Sequence, residues 1–321
     1  MPKAIICNSF NGLEALTLQE VPEPVLQPDE VLIAVDYAGV NYPDTLIIQG
    51  KYQFQPELPF SPGQEVSGTV LAIGDQAQEV RVGDAVLASM TWGGFGEVVK
   101  AHWHNVYQLP PKITCLSAAV VLETYGTAIH ALKDRGQLHP GETLVVLGAS
   151  GGTGTAAVQL GKVLGAKVIA VCSSEAKRKE ALDNGADLAV PYDNLKSQLK
   201  EHHVDVVFDP VGGEVSEQAF RSLRPNGRHL VVGFASGEVP ALPWNLPLLK
   251  SASIVGVFWG SFWRTNPKEN RANMRMILKW MSEGKLKVRI SKTYPLVDAA
   301  KALDDIMSRR AMGKLVLEVK S

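Results

Sequence analysis

In this 321-residue chain the residues best placed to do chemistry lie in Leu144-Val145-Val146-Leu147-Gly148-Ala149-Ser150-Gly151-Gly152-Thr153-Gly154. An apolar strand runs into a glycine-rich turn, and a helix follows at once. Glycines let the backbone turn sharply and approach a pyrophosphate closely. The helix start adds free N–H groups and the positive end of a dipole. Strand, turn, helix and a second strand, Lys167 to Val171, fall within one unit of ~30 residues, as a dinucleotide fingerprint requires and an ordinary tight turn does not. Ser150, Gly151, Gly152, Thr153 and Gly154 are the candidate phosphate cradle.

The end of that second strand selects the dinucleotide. An NAD site usually places a carboxylate there for the ribose hydroxyls. This chain reads Val171-Cys172-Ser173-Ser174-Glu175-Ala176-Lys177-Arg178. Ser173 and Ser174 offer hydroxyls, and Lys177 and Arg178 offer charge within one helical turn, which suits a 2′-phosphate. The expected cofactor is NADPH. Glu175 is the competing ribose acceptor, and a solvated helix face is the other reading of the two cations.

These residues need elements to hold them. The first ~120 residues read as short strands punctuated by Gly and Pro, a β-rich domain. Ser117 to Lys133 has helical spacing, with Ser117 as a possible N-cap. From Thr143 onward strands and helices alternate up to a last strand, Ile254 to Phe258. That alternation means βαβ units on a parallel sheet. The tail returns to helices, Asn273 to Ser282 and Val297 to Ser308, and a closing strand, Lys314 to Val319.

Lys+Arg total 32 and Asp+Glu 33, for a net charge of -1. Nucleic acid and anionic membrane surfaces are excluded as partners, because both call for a basic excess. Cys7, Cys115 and Cys172 are widely spaced and form no C-x-x-C pair, so no disulfide framework or zinc ribbon is expected. The pairs His102/His104 and His202/His203 lack helical i, i+4 spacing and are expected in turns or at the surface. Residues 1–7 lack a signal-peptide core and the apolar runs are shorter than the ~20 residues of a membrane span, so a cytoplasmic location is expected.

Several segments together carry a family resemblance. Gly39-Val40-Asn41-Tyr42-Pro43-Asp44 resembles a G-V-N-x-x-D segment, and Pro62-Gly63-Gln64-Glu65-Val66-Ser67-Gly68 a P-G-x-E-x-x-G segment. Val82-Gly83-Asp84-Ala85-Val86 resembles a V-G-D-x-V turn, and Gly313-Lys314-Leu315-Val316-Leu317 a C-terminal G-K-x-V-L strand. With the glycine loop, they make the whole chain resemble a zinc-independent medium-chain dehydrogenase/reductase, similar to NADPH:quinone oxidoreductases. The resemblance implies an α/β fold with two domains. A GroES-like β-rich catalytic domain would span 1–122 and be completed by 262–321. A Rossmann domain with a doubly wound parallel sheet would span 123–261, and the cofactor would lie in the cleft between them. It also implies a homodimer, through edge pairing of the nucleotide-domain sheets near Ile254 to Phe258.

Alcohol dehydrogenases of the superfamily use a Cys in the segment matching Val40 to Asp44 and a His in the segment matching Gly63 to Glu65. Asn41 and Gln64 stand in those places, and a catalytic zinc needs three protein ligands. No metal is expected, and Glu65 is expected to be a buried carboxylate bonded to backbone. Without a Lewis acid, the acceptor must take hydride easily or be polarised by hydrogen bonds. Quinones do so because the product is aromatic. Enones and 2-enoyl thioesters do so through an enolate.

By resemblance, Asn41 is the amide beside the nicotinamide and Tyr52 a phenol facing the cleft, the two catalytic candidates. A turn-holding Asn and an aromatic wall are the alternatives. Asp44 is expected to satisfy backbone groups. The remaining cofactor candidates are Thr127 at the nicotinamide half, Tyr192 near the 2′-phosphate, Gly233, Phe234 and Ala235 at the nicotinamide ribose, Phe258 and Trp259 lining the pocket, and Lys314. The leading expectation is an NADPH-dependent quinone reductase acting by direct hydride transfer to a small molecule. An enone or 2-enoyl thioester reductase and a non-enzymatic NADPH-binding protein are its rivals.

Overall fold

Thr143–Leu147 and Val204–Asp209 are buried along their whole length, as strands covered on both faces are. They form the centre of a six-stranded sheet in the computed structural model, which describes residues 1–308, 310 and 313–320. The chain divides into two units, Met1–Glu123 with Met274–Ser321, and Thr124–Asn273. In the second unit all strands run parallel, in the order Leu188–Val190, Lys167–Val171, Thr143–Leu147, Val204–Asp209, Leu223–Val231, Ser253–Gly256. The strand earliest in sequence lies inside the sheet, and later strands add first on one side and then on the other. The reversal between Thr143–Leu147 and Val204–Asp209 opens a crevice at their carboxyl ends, where ligands bind in sheets of this kind.

The first unit is built on a seven-stranded sheet. Its long strand Glu30–Val40 pairs antiparallel with Glu65–Ile73, Val98–His102 and the C-terminal strand Lys314–Glu318. Leu315 faces Val40 in that last pairing, which brings the end of the chain beside Asn41. A core that includes Ile33, Val66, Phe95, Leu303 and Leu317 fills the unit.

The second crossing between the units falls at 273/274 rather than at the expected 261/262. Trp259 is 3% exposed and its Nε1 donates to Asn270 Oδ1 at 2.9 Å. Lys133 Nζ donates to Asn273 Oδ1 at 3.0 Å, and Asn273 Nδ2 donates to Asp134 Oδ2 at 2.8 Å. Those bonds keep 259–273 with the second unit.

One helix start also differs from expectation. The N-cap before Cys115–Ala118 is Thr114, whose Oγ1 accepts from Ser117 N at 3.2 Å, so Ser117 lies inside the first turn. The helical stretch Cys115–Arg135 is long and apolar enough to cross a bilayer, longer than the sequence reading allowed, yet 72% of its apolar window is buried inside the protein. The helix after the glycine turn begins at Gly152, with Gly151 as its extended cap.

Candidate functional site

In the nucleotide unit, Gly148 to Gly154 leave the end of the strand Thr143–Leu147 and enter the helix Gly152–Val163. Gly154 is required by packing: a Cβ there would lie 2.1 Å from Gly148 O. At Gly151 a Cβ would lie 3.3 Å from Gly148 O, a tight contact, so the turn favours glycine there as well. The first N–H groups of a helix have no intrahelical partner and are the donors this turn offers a phosphate. Gly151 is exposed, Gly152 and Thr153 are half-buried, and Ser150 is 8% exposed. The residues present therefore fit a pyrophosphate.

The neighbouring strand end is built for an anion. Ser173 and Ser174 are exposed, and Ser174 Oγ caps the helix Glu175–Asp183 by accepting from Lys177 N at 3.3 Å. Lys177 Nζ leans toward Ser173 Oγ at 3.5 Å, and Arg178 is half-buried beside it. Cys172 is buried; burial raises its thiol pKa, against hydrogen bonds with Ser150 that lower it. Glu175 is exposed in the first helical turn, where a carboxylate also complements the dipole.

Tyr192 lies against the glycine turn: its hydroxyl accepts from Gly148 N at 2.9 Å. Burial pushes its pKa up to about 12. Thr127, half-buried, opens the short helix Thr127–Ile129 between the two π-helical segments Leu122–Gly126 and His130–Arg135. Such π-turns are frequent at functional sites. Gly233, Phe234 and Ala235 follow the strand Leu223–Val231, and Phe234 is 38% exposed. Phe258 is 44% exposed, whereas Trp259 is 3% exposed and packs against Gly126.

The first unit holds a buried polar knot. Asn41 Nδ2 donates to Glu65 Oε1 at 2.9 Å, and Lys314 Nζ donates to Glu65 Oε1 at 3.1 Å, to Val40 O at 3.3 Å and to Asn41 Oδ1. Asn41 is 6% exposed, Glu65 1% and Lys314 7%. The ammonium has three protons, and three acceptors receive them. Lys314 is thus bonded within its own unit, and Asn41 is held in orientation with one amide proton beyond the Glu65 bond. Glu65 Oε2 also accepts from Glu123 N at 3.1 Å, so it bonds backbone and bears an ion pair as well. The ion pair joins residues 249 apart, which no local pattern announces.

Asp44 is fully buried and Oδ2 accepts from Asn41 N at 2.8 Å, the backbone role expected of it. Burial pushes its carboxyl up to about 7, against the Asn41 N–H and the Lys314 charge. Tyr52 is half-buried, packs on the core and meets Phe54 edge-on at 6.2 Å between ring centroids. Gln64 is 4% exposed; Nε2 reaches Thr91 O at 3.4 Å while Oε1 is buried with no hydrogen-bond partner. His102 Nδ1 accepts from His104 N in a surface turn. Among the described residues no group of three His, Cys, Asp or Glu side chains is placed to hold a metal ion.

The sequence reading missed a buried set, Asp209, Ser216 and His229, at 3%, 0% and 1% exposure. Its signal was present: a second carboxylate, Asp209, ends a strand that already holds Asp205, and a histidine sits inside the next one.

Residues 27–111 match the alcohol dehydrogenase GroES-like domain, and 152–279 match the zinc-binding dehydrogenase family. A curated relative, quinone oxidoreductase-like protein 2 of Bos taurus, is 36% identical over 99% of this chain and 93% of its own. Quinone oxidoreductase of Homo sapiens is 32% identical over 98% and 97%. The crystal structure of Escherichia coli quinone oxidoreductase complexed with NADPH superposes with a TM-score of 0.92 at 27% identity, over 99% of this chain and 100% of that one.

Proposed function

Because this chain belongs to the medium-chain dehydrogenase/reductase superfamily and resembles its quinone oxidoreductases, we propose that it reduces a quinone with NADPH by direct hydride transfer, without a metal. The observation that carries the cofactor choice is the strand end. It lacks the carboxylate that would repel a 2′-phosphate, and it offers Ser173, Ser174, Lys177 and Arg178.

When bound, the cofactor supplies the hydride. The chain supplies the rest. The first turn of Gly152–Val163 neutralises the pyrophosphate, and Lys177 with Ser173 takes the 2′-phosphate. Asn41 is held rigid by Glu65 and Lys314, so its remaining amide proton keeps one direction. Tyr52 donates to the oxygen on which charge develops. A quinone needs such help least, because its reduced form is aromatic.

Relatives named quinone oxidoreductases favour a quinone over an enone or 2-enoyl thioester. The retained Asn41 and Tyr52 favour an enzyme over a nucleotide-binding protein without activity. We further propose a cytoplasmic homodimer formed along Ser253–Gly256, which ends the sheet and leaves Ile254 39% exposed. The test is NADPH oxidation against a panel of quinones, enones and enoyl thioesters, before and after dialysis against a chelator. Quinone turnover that survives the chelator supports the proposal. Turnover of enoyl thioesters alone, or activity lost with a stoichiometric metal, refutes it.

A further inference from the structure

Asp209 ends the central strand Val204–Asp209, at the sheet's switch point beside the glycine turn. Its side chain is saturated. Oδ1 accepts from Val211 N at 2.8 Å and Gly212 N at 3.0 Å, and Oδ2 accepts from His229 Nε2 at 3.0 Å and from Ser216 Oγ. A carboxylate has about four acceptor sites, and all four are occupied. Burial raises the Asp209 pKa, but the His229 and Ser216 hydrogen bonds and the Gly212 N–H outweigh it and hold the group below its ordinary value. An ionised carboxylate can only accept, so the proton on this side of the imidazole belongs to Nε2.

The same residue also holds the next loop. Asp209 O accepts from Val232 N at 2.9 Å and Gly233 N at 3.3 Å. Ala235 N then donates to Pro210 O at 3.0 Å, Ser236 N to Val211 O at 2.8 Å, and Gly213 N to Glu238 O at 3.0 Å. The fit is close enough to require glycine at 212, whose φ is +73°: a Cβ there would meet Glu238 O at 2.6 Å and Phe234 Cδ1 at 2.9 Å. The turn 210–213 and the loop 232–238 therefore form one packed body.

Burying Asp209, Ser216 and His229 is a poor way to stabilise a core, and His229 Nδ1 has no hydrogen-bond partner at all. Apolar replacement of buried ionic groups is often neutral or stabilising. The arrangement is a good way to fix a loop. We propose that the Asp209–Ser216–His229 cluster is a positioning device that presents Gly233, Phe234 and Ala235 to the nicotinamide half of the cofactor. This rests on the NADPH reading above. Asp209 touches no cofactor in this assignment; it acts through the backbone that it and its donors hold still.

The test separates the two halves of the cofactor. Ser216→Ala removes one donor, His229→Leu removes another, and His229→Gln restores an N–H on a neutral side chain. Each variant is titrated with NADPH and with 2′,5′-ADP, a fragment that carries the 2′-phosphate but no nicotinamide. Ser216→Ala and His229→Leu are expected to weaken NADPH on the order of tenfold, since each loses a hydrogen bond to a charged group. 2′,5′-ADP should bind all variants as it binds the unaltered protein, and His229→Gln should recover most of the NADPH affinity. Equal weakening of both ligands would reduce the cluster to fold maintenance and overturn the proposal, as would NADPH affinity unchanged in Ser216→Ala. Should His229→Leu fail to fold, Ser216→Ala decides alone. An unaltered protein that binds neither ligand refutes the NADPH reading itself, and this proposal with it.

Discussion

Replacing Lys314 with methionine keeps an unbranched side chain, shorter only by the terminal nitrogen, and removes the ammonium from a site that is 7% exposed. Glu65, 1% exposed, then keeps its carboxylate with no cation at Oε1. At the 3.1 Å separation of that pair, an effective dielectric of about 20 gives roughly 5 kcal/mol of attraction. Part of that is offset in the intact protein by the desolvation of both groups, and the offset is what remains when one partner goes. Breaking a buried pair from one side costs about 3–5 kcal/mol, and that is the expected loss for Lys314→Met. Adding Glu65→Gln removes the stranded charge while leaving an amide oxygen for Glu123 N, so the double variant should regain about 2 kcal/mol or more. Urea denaturation followed by circular dichroism, with the transition of the first unit resolved from that of the second, measures each step of the cycle. A loss under about 1 kcal/mol for Lys314→Met, or a double variant as unstable as the sum of the two singles, would show that the ammonium does not neutralise Glu65.

Other outcomes follow from the same geometry. Tyr52→Phe should lower kcat/KM for enones by an amount on the order of 2–4 kcal/mol and for quinones by less; equal and negligible losses would leave Tyr52 a wall residue packed on Phe54. Asp44 has its folded-state pKa raised from 3.8 to about 7, so the folded state holds that proton more tightly than the unfolded chain. Its contribution is therefore fully present below about pH 4 and lost as pH rises toward 7, amounting to a few kcal/mol in all. Asp44→Asn should abolish that slope, and parallel pH–stability curves for the two proteins would contradict it. Sizing by light scattering should give twice the 34.7 kDa chain mass, and Ile254→Glu on the edge strand should shift it to one chain; a monomer from the start would end the dimer proposal.

The strands and glycine turn of the nucleotide unit were legible because their signals are local. Thr143–Leu147 and Lys167–Val171 are observed as the sequence pattern drew them. Short-range competition blurred the element ends: Thr114 took the cap from Ser117, and the π-turns around Thr127 leave no mark in the spacing of apolar residues. Long-range pairing was the least legible. The antiparallel pairing of Leu315 with Val40 carries Lys314 to Glu65, a contact that no local pattern in the sequence announces. The bond from Gly148 N to the Tyr192 hydroxyl likewise joins residues 44 apart and was not legible. Asp209 and His229 escaped notice because they lie 20 residues apart on different strands, and only the parallel pairing of Val204–Asp209 with Leu223–Val231 brings them into one neighbourhood.

Cofactor choice is the most direct test of the proposed chemistry, because every later step depends on it. Intrinsic fluorescence is titrated with NADPH and NADH, in the unaltered protein and in Lys177→Ala, at low and high salt. A hydrogen bond to a charged group contributes roughly 1.5–3 kcal/mol, and the half-exposed position of Lys177 points to the lower end, about tenfold. The account predicts NADPH bound more tightly than NADH, a selective loss of NADPH affinity in Lys177→Ala, and a preference that narrows as salt rises. NADH bound as tightly as NADPH, or an NADPH affinity indifferent to Lys177, would contradict it.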